Sequence, residues 1–229
     1  VNIQKIELWI SNFEQTVQFY EQAIGFKRME DSEAAKVSFQ IGSSILELNR
    51  DPGDRGYYYH FAFNIPPNLF RDAKRWLSKR TELLLEDGED EVFFDGLTQA
   101  DSFYTEDPAG NIVEFIARRH TTPASSAFTF TTEQIMCISE IGLSVDNLAE
   151  YAERMHTLGI PVRGNEEISY DGYLNFMGEY EDGSFIILSP LGRRWYFSDK
   201  PSIAAPLVIH TDRGIIDSSI EIRNGERHL

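Results

Sequence analysis

The sequence predicts an α+β protein built from tandem βαβββ modules. Three observations predict it: strands that alternate apolar and polar residues, a helical pattern after each such strand, and the recurrence of this order along the chain. Two modules are expected to form a curved, open-barrel sheet with helices outside, and a third module follows.

The first module opens with residues 3–10. Ile6, Leu8 and Ile10 share one face, and Lys5, Glu7 and Trp9 the other. Asn12 is placed to cap a helix on which Phe13, Thr16, Val17, Tyr20 and Ile24 recur, and Gly25 can close it in a left-handed conformation. Strands are expected at 26–29, 36–41 and 44–48. The second module begins at 58–65, with Phe61, Phe63 and Ile65 on one face and Tyr58, His60, Ala62 and Asn64 on the other. Pro66 and Pro67 open a helix carrying Leu69, Phe70, Ala73, Trp76 and Leu77. Strands at 83–85, 103–106 and 111–117 complete it, the last two joined by the turn Asp107-Pro108-Ala109-Gly110. Residues 86–98 read as a mobile loop or a weak strand.

Residues 121–132, rich in Thr, Ser, Ala and Pro, read as a linker. The third module has a strand at 138–145, Asn147 as cap, a helix face of Leu148, Tyr151, Ala152, Met155 and Leu158, and Gly159 at its end. Glu181-Asp182-Gly183 then leads into a strand at 184–188. The pattern fades beyond Pro190, with one more strand at 207–210 and a polar tail over 220–229. The expected organisation is two paired modules in 1–120, a linker in 121–132, and a third module with a C-terminal extension in 133–229.

The 229 residues carry a formal net charge of -16. Nucleic acid and anionic membrane are poor partners for such a chain, because both need cationic faces. One cysteine, Cys137, permits no internal disulfide and reads as a buried, inert thiol. Neither a membrane span nor a secretion signal is visible, so a soluble, cytoplasmic protein is expected. Gly-rich phosphate loops and nucleophilic cysteine patterns are missing.

Three stretches resemble one family. They are Ile6-Glu7-Leu8-Trp9-Ile10-Ser11-Asn12-Phe13 leading to Phe19-Tyr20 and Gly25-Phe26, then Tyr59-His60-Phe61-Ala62-Phe63-Asn64-Ile65-Pro66, then Asp107-Pro108-Ala109-Gly110-Asn111-Ile112-Val113-Glu114-Phe115. Together they resemble the vicinal oxygen chelate superfamily, which includes glyoxalase I, extradiol dioxygenases, bleomycin-resistance proteins and fosfomycin-resistance enzymes. The resemblance implies that the first two modules pair around a ligand cleft. It also implies that up to four metal-binding positions fall on Lys5, Glu47, His60 and Glu114. Alternation independently sets these residues on faces away from the apolar ones.

Lys5 departs from the family pattern, which usually has histidine there. A protonated amine has no lone pair to give a metal. His60, Glu114 and Glu47 remain as metal ligands, able to take Zn, Mn, Ni or Fe, and Glu7 can supply a further oxygen. In the metal-free alternative, Lys5 is an internal counter-ion for Glu7, Glu47 and Glu114.

Two functions follow from the resemblance. One is metal-assisted lyase, isomerase or dioxygenase chemistry on a small molecule, with Glu114 as ligand and catalytic proton shuttle. The other is non-catalytic binding of a drug or metabolite, with Trp9, Tyr58 and Phe103 lining the cleft. In the third module Glu140 stands at the position of Lys5, but Ile187 stands at that of Glu114, so no metal is expected there. A lone module leaves a sheet edge open. Pairing with a second copy, giving a homodimer, would cover it; a return of residues 191–229 is the competing arrangement.

Overall fold

The computed structural model describes residues 1–30 and 33–219. The tail expected over 220–229 lies outside the described residues. The elements run β1 (Ile3–Ile10), α1 (Phe13–Gln18), β2 (Lys36–Ile41), β3 (Ser44–Arg50), β4 (His60–Asn64), α2 (Phe70–Ser78), β5 (Val92–Phe94), β6 (Ala100–Glu106), β7 (Ile112–Arg118), β8 (Cys137–Val145), α3 (Leu148–Thr157), β9 (Asn175–Met177), β10 (Phe185–Pro190), β11 (Leu207–Thr211) and β12 (Gly214–Asp217). The second module keeps the full βαβββ order, and the first and third run βαββ. The stretches expected as strands at 26–29 and 83–85 make only single bridges, Arg28 to Phe39 and Leu83 to Thr105. Residues 86–98 contain the short strand β5.

The strands form two sheets. One has the order β12-β11-β1-β3-β2, the other β5-β6-β7-β4-β8-β10-β9. This corrects the expected pairing. The first two modules do not share a sheet. The second pairs with the third through antiparallel β4 and β8, and the first pairs with the C-terminal strands through antiparallel β1 and β11. The physical reason lies in the edges. β4 meets β7 on one side and β8 on the other, where Phe61 faces Ile141 and Phe63 faces Ile138. The apolar row of the second module thus continues into the third. After the linker, Met136 N–H donates to Asn64 O at 2.9 Å and sets this register. β8 is flanked by β4 and β10, so the second module pairs with the third at the place expected for a second copy.

Sequence alternation explains what lies between the sheets. Ile6, Leu8, Ile10, Phe61, Phe63, Phe115, Ile138 and Ile141 all belong to one buried cluster. Phe63 meets Phe115 edge-on at 5.5 Å and Phe26 at 5.4 Å. Polar ties also join the sheets: Ser44 Oγ donates to Ile3 O at 2.6 Å and accepts from Ile138 N–H at 3.0 Å. The Tyr59 hydroxyl accepts from Trp9 N–H at 3.1 Å and donates to Pro206 O at 2.7 Å.

The helix ends follow the sequence at Gly25, Pro67, Asn147 and Gly159, and depart from it at Asn12. Gly25 closes the first helical stretch at φ 91°, and the Asn147 side chain accepts from Glu150 N–H at 3.2 Å. Asn12 does not cap. It sits in the left-handed region, and its amide donates to Pro108 O at 3.1 Å instead. No described helix is long and apolar enough to cross a membrane. Burial raises the pKa of the Cys137 thiol, which fits an unreactive sulfur.

Candidate metal centre

The faces that turn away from the core build two separate hollows, one on each sheet. On the seven-stranded sheet, β4 presents His60, β7 presents Glu114 and β8 presents Glu140. One donor atom from each of these three lies within 4.8 Å of the others, and all three side chains are buried. His60 Nε2 is 3.5 Å from Glu114 Oε2 and 3.9 Å from Glu140 Oε2.

Two of the donors, His60 and Glu140, are held by partners of their own. His60 Nδ1 lies 3.1 Å from the carbonyl of Ile112, which fixes Nδ1 as the protonated nitrogen and leaves the Nε2 lone pair toward the carboxylates. Arg118, buried on β7, pairs with Glu140 Oε1. Tyr104 stands opposite Glu114 in the β6–β7 register, and both line the same cavity. Electrostatics follow from burial. Desolvation lowers the His60 pKa despite the attraction of Glu140, so its imidazole is neutral. Desolvation, then repulsion from Glu140, pushes Glu114 up to about 8.

The centre lies in a cavity of about 290 Å³ whose walls are aromatic: Phe94, Tyr104, Phe176, Trp195 and Tyr196. Ile187 occupies the fourth symmetric position and adds an apolar surface. Trp195, Tyr196 and Arg193 come from the segment between β10 and β11, which crosses the mouth. The Trp195 ring lies 5.0 Å from that of His60. It fits because residue 142 is glycine: a Cβ there would fall 2.6 Å from the indole.

The other hollow, about 310 Å³, lies on the five-stranded sheet and is lined by Lys5, Glu47 and His210 among others. Lys5 Nζ is 2.6 Å from Glu7 Oε1 and 3.5 Å from Glu47 Oε2. His210 Nε2 is 2.7 Å from Glu7 Oε1, and Ser38 Oγ donates to Glu47 at 3.2 Å. Burial works against the Lys5 charge, but Glu7 and Glu47 outweigh it and leave the pKa of the ammonium raised. Burial likewise works against Glu7, and Lys5 with His210 outweigh it and leave Glu7 lowered.

The structure therefore divides the expected site. His60 and Glu114 come together. Lys5, Glu7 and Glu47 lie on the other sheet, because β1 and β3 pair with each other in parallel and not with β4. Glu47 is not a ligand beside His60; Glu140 takes that place. The third module, expected to lack a ligand set, contributes Glu140 to the group formed with His60 and Glu114 of the second. Lys5 neutralises Glu7 and Glu47, as the metal-free alternative held, but not Glu114. Phe103 is no cavity liner: it is fully buried and stacks on Phe115 at 5.3 Å, and β6 alternation turns Tyr104 inward in its stead. Trp9 packs on the core of the first sheet, and Tyr58 anchors the crossing segment by donating to Pro201 O at 2.7 Å. Glu140, Arg118 and Tyr104 were each visible as polar positions on apolar strands. Arg193 and Trp195 lie in a segment without periodicity and left no such signal.

A carboxylate pair and an imidazole on three rigid strands suit a divalent cation. The oriented Nδ1, the paired Oε1 of Glu140 and the cost of crowding two buried carboxylates fit one as well. Comparison with known proteins supports the same reading of the fold. Residues 138–193 match the family model of the toxoflavin-degrading enzyme. No curated protein matches the sequence. Among solved structures, a Bacillus subtilis protein provisionally assigned as a dioxygenase aligns over 100% of this chain and 75% of its own, with 14% identity and a TM-score of 0.55. A glyoxalase I mutant from Zea mays aligns over 88% of this chain and 70% of its own, with 14% identity and a TM-score of 0.52. With its repeated βαβββ modules and a curled sheet enclosing the centre, the chain has the vicinal oxygen chelate fold.

Proposed function

We propose that the cleft of the seven-stranded sheet is a divalent-metal active site that degrades a small, flat organic molecule. The observation that carries this reading is the convergence of His60, Glu114 and Glu140 at the base of an aromatic cavity. The oxygen-rich donor set favours Mn or Fe over Zn or Ni. When bound, the cation would supply Lewis-acid polarisation of substrate oxygens.

The protein's own groups do the rest. His60, Glu114 and Glu140 would hold the cation, with Ile112 O keeping His60 and Arg118 keeping Glu140 in place. Trp195 and Phe176 line the cavity and would give a flat substrate an apolar surface that excludes water. Glu114, at the base of the cavity beside Tyr104, is the carboxyl placed to take or give a proton. The match of residues 138–193 to the toxoflavin-degrading enzyme family makes toxoflavin the first substrate to try.

The test is metal analysis of protein purified without chelator, followed by turnover of toxoflavin with Mn or Fe. Near one equivalent of metal is expected, lost in E140A; less than about a tenth of an equivalent, with no thermal shift on adding any of the four metals, would sink the reading. The aromatic walls favour a second reading, a binding protein without turnover. In that case E114Q leaves ligand affinity unchanged, whereas an active site loses its turnover.

A further inference from the structure

Arg193 and Arg194 are neighbours in the segment that crosses the cleft mouth, yet they have opposite fates. Arg194 turns outward and forms an ion pair with Glu86. Arg193 turns inward and lines the cavity beside His60. Its guanidinium makes no ion pair among the described residues. One of its five N–H donors is used, Nη1 to Arg194 O at 2.9 Å. The backbone is fixed from behind, where Arg193 N–H donates to Ser202 Oγ at 3.2 Å and Ser202 N–H to Arg193 O at 2.6 Å.

A half-buried cation without a counter-ion is costly. The nearby charges do not relieve it, because the other guanidinium at the site, Arg118, already pairs with Glu140. The cavity thus has aromatic walls and, on its lining, one guanidinium with unused donors. Guanidinium forks match the geometry of anionic oxygen groups and bind them with charge-assisted hydrogen bonds.

We propose that the cleft selects a flat aromatic ligand that carries an anionic oxygen group, and that Arg193 is the residue that holds this group. The proposal rests on the reading of the cleft as the substrate site, but not on which metal it holds. It assigns Arg193 a binding and positioning role, apart from the three donors. Aromatic walls alone would accept neutral and charged rings alike; the guanidinium makes the distinction.

The experiment compares two probes of the same shape, 2-naphthoate and its neutral counterpart 2-naphthamide. Their affinities are read from quenching of tryptophan fluorescence, with the full chain as purified and again after EDTA treatment. The naphthoate is expected to bind about tenfold or more tightly than the amide in both preparations. R193M should erase that preference by weakening naphthoate alone, and R193K should keep part of it. Unchanged amide affinity shows that the variant cavity is intact. Equal affinities in the wild-type protein, a preference that survives in R193M, or no binding of either probe would overturn the proposal. Metal analysis of the same samples fails or succeeds independently, so loss of the metal reading is distinguishable from loss of this one.

Discussion

The two sheets carry equivalent hollows that reach electrostatic balance in opposite ways. On the seven-stranded sheet two buried carboxylates face an imidazole; Arg118 satisfies one of them, and the other is driven toward its neutral form. On the five-stranded sheet Glu7 and Glu47 face a tethered ammonium, and His210 completes the set. Among the differences, one decides the charge balance. β4 and β8 begin their cleft faces with His60 and Glu140, whereas β1 offers Lys5. A lysine amine can neutralise acids but cannot leave, so the second hollow carries its cation covalently. An ion-binding site can be closed by a single residue while the surrounding strands keep their shape.

The largest expected effect tests the division of labour. H60A or E114A should bring bound metal below about a tenth of an equivalent, and E47A should leave it near one equivalent, as read by elemental analysis. Metal lost in E47A instead would show that the two hollows are not independent. Next, R118M strands Glu140 in a buried setting and should cost about 3 kcal/mol of stability in urea unfolding. The double variant R118M/E140M should recover most of that loss. If R118M is neutral, Glu140 is not the buried acid described.

Smaller effects sharpen the comparison through pH. Glu114 is protonated in folded and unfolded chains below its ordinary value. Between that value and about 8 the unfolded chain gives up a proton that the fold retains, so the stability of metal-free protein falls as pH rises through this window, then levels off. The slope should be at most about 1.4 kcal/mol per pH unit and should vanish in E114Q. Metal affinity should run the other way, rising with pH over the same window as the proton is displaced. Thermal melts of EDTA-treated and Mn-loaded protein from pH 5 to 9 check both signs. The smallest effect is that of K5M. Its stability should change by no more than about 1 kcal/mol, because the cluster is partly exposed. Its Glu7, Glu47 and His210 should then take a second, weaker equivalent of Zn or Mn; a K5M protein that binds only one equivalent breaks the parallel between the hollows.

The modules themselves are legible in the chain, because alternation and helical spacing are local. His60 and Glu114 stand out for a related reason: each is a titratable residue on an otherwise apolar strand, and both fall in one module. Glu140 shares that signature, but its value depends on β8 lying beside β4, a contact across 78 residues of chain between positions 62 and 140. Strand edges carry little sequence information about which partner they choose. Two modules adjacent in sequence therefore looked like natural partners, and the second and third are the ones that pair. The crossing segment was hidden for another reason. Trp195 and Arg193 are held by turns, by Tyr58 and by Ser202, and such tertiary anchors leave no period. Asn12 shows the limit of local rules even at a helix end, since its amide finds Pro108 O from a different module.

The absence of a side chain at Gly142 has an evolutionary corollary. The indole of Trp195 rests in the space that a methyl group would fill. An alanine or serine there would evict the ring and widen the aperture without touching a donor or an acid. Cavity size is thereby uncoupled from the donor set, and one codon change on β8 offers this scaffold room for bulkier molecules.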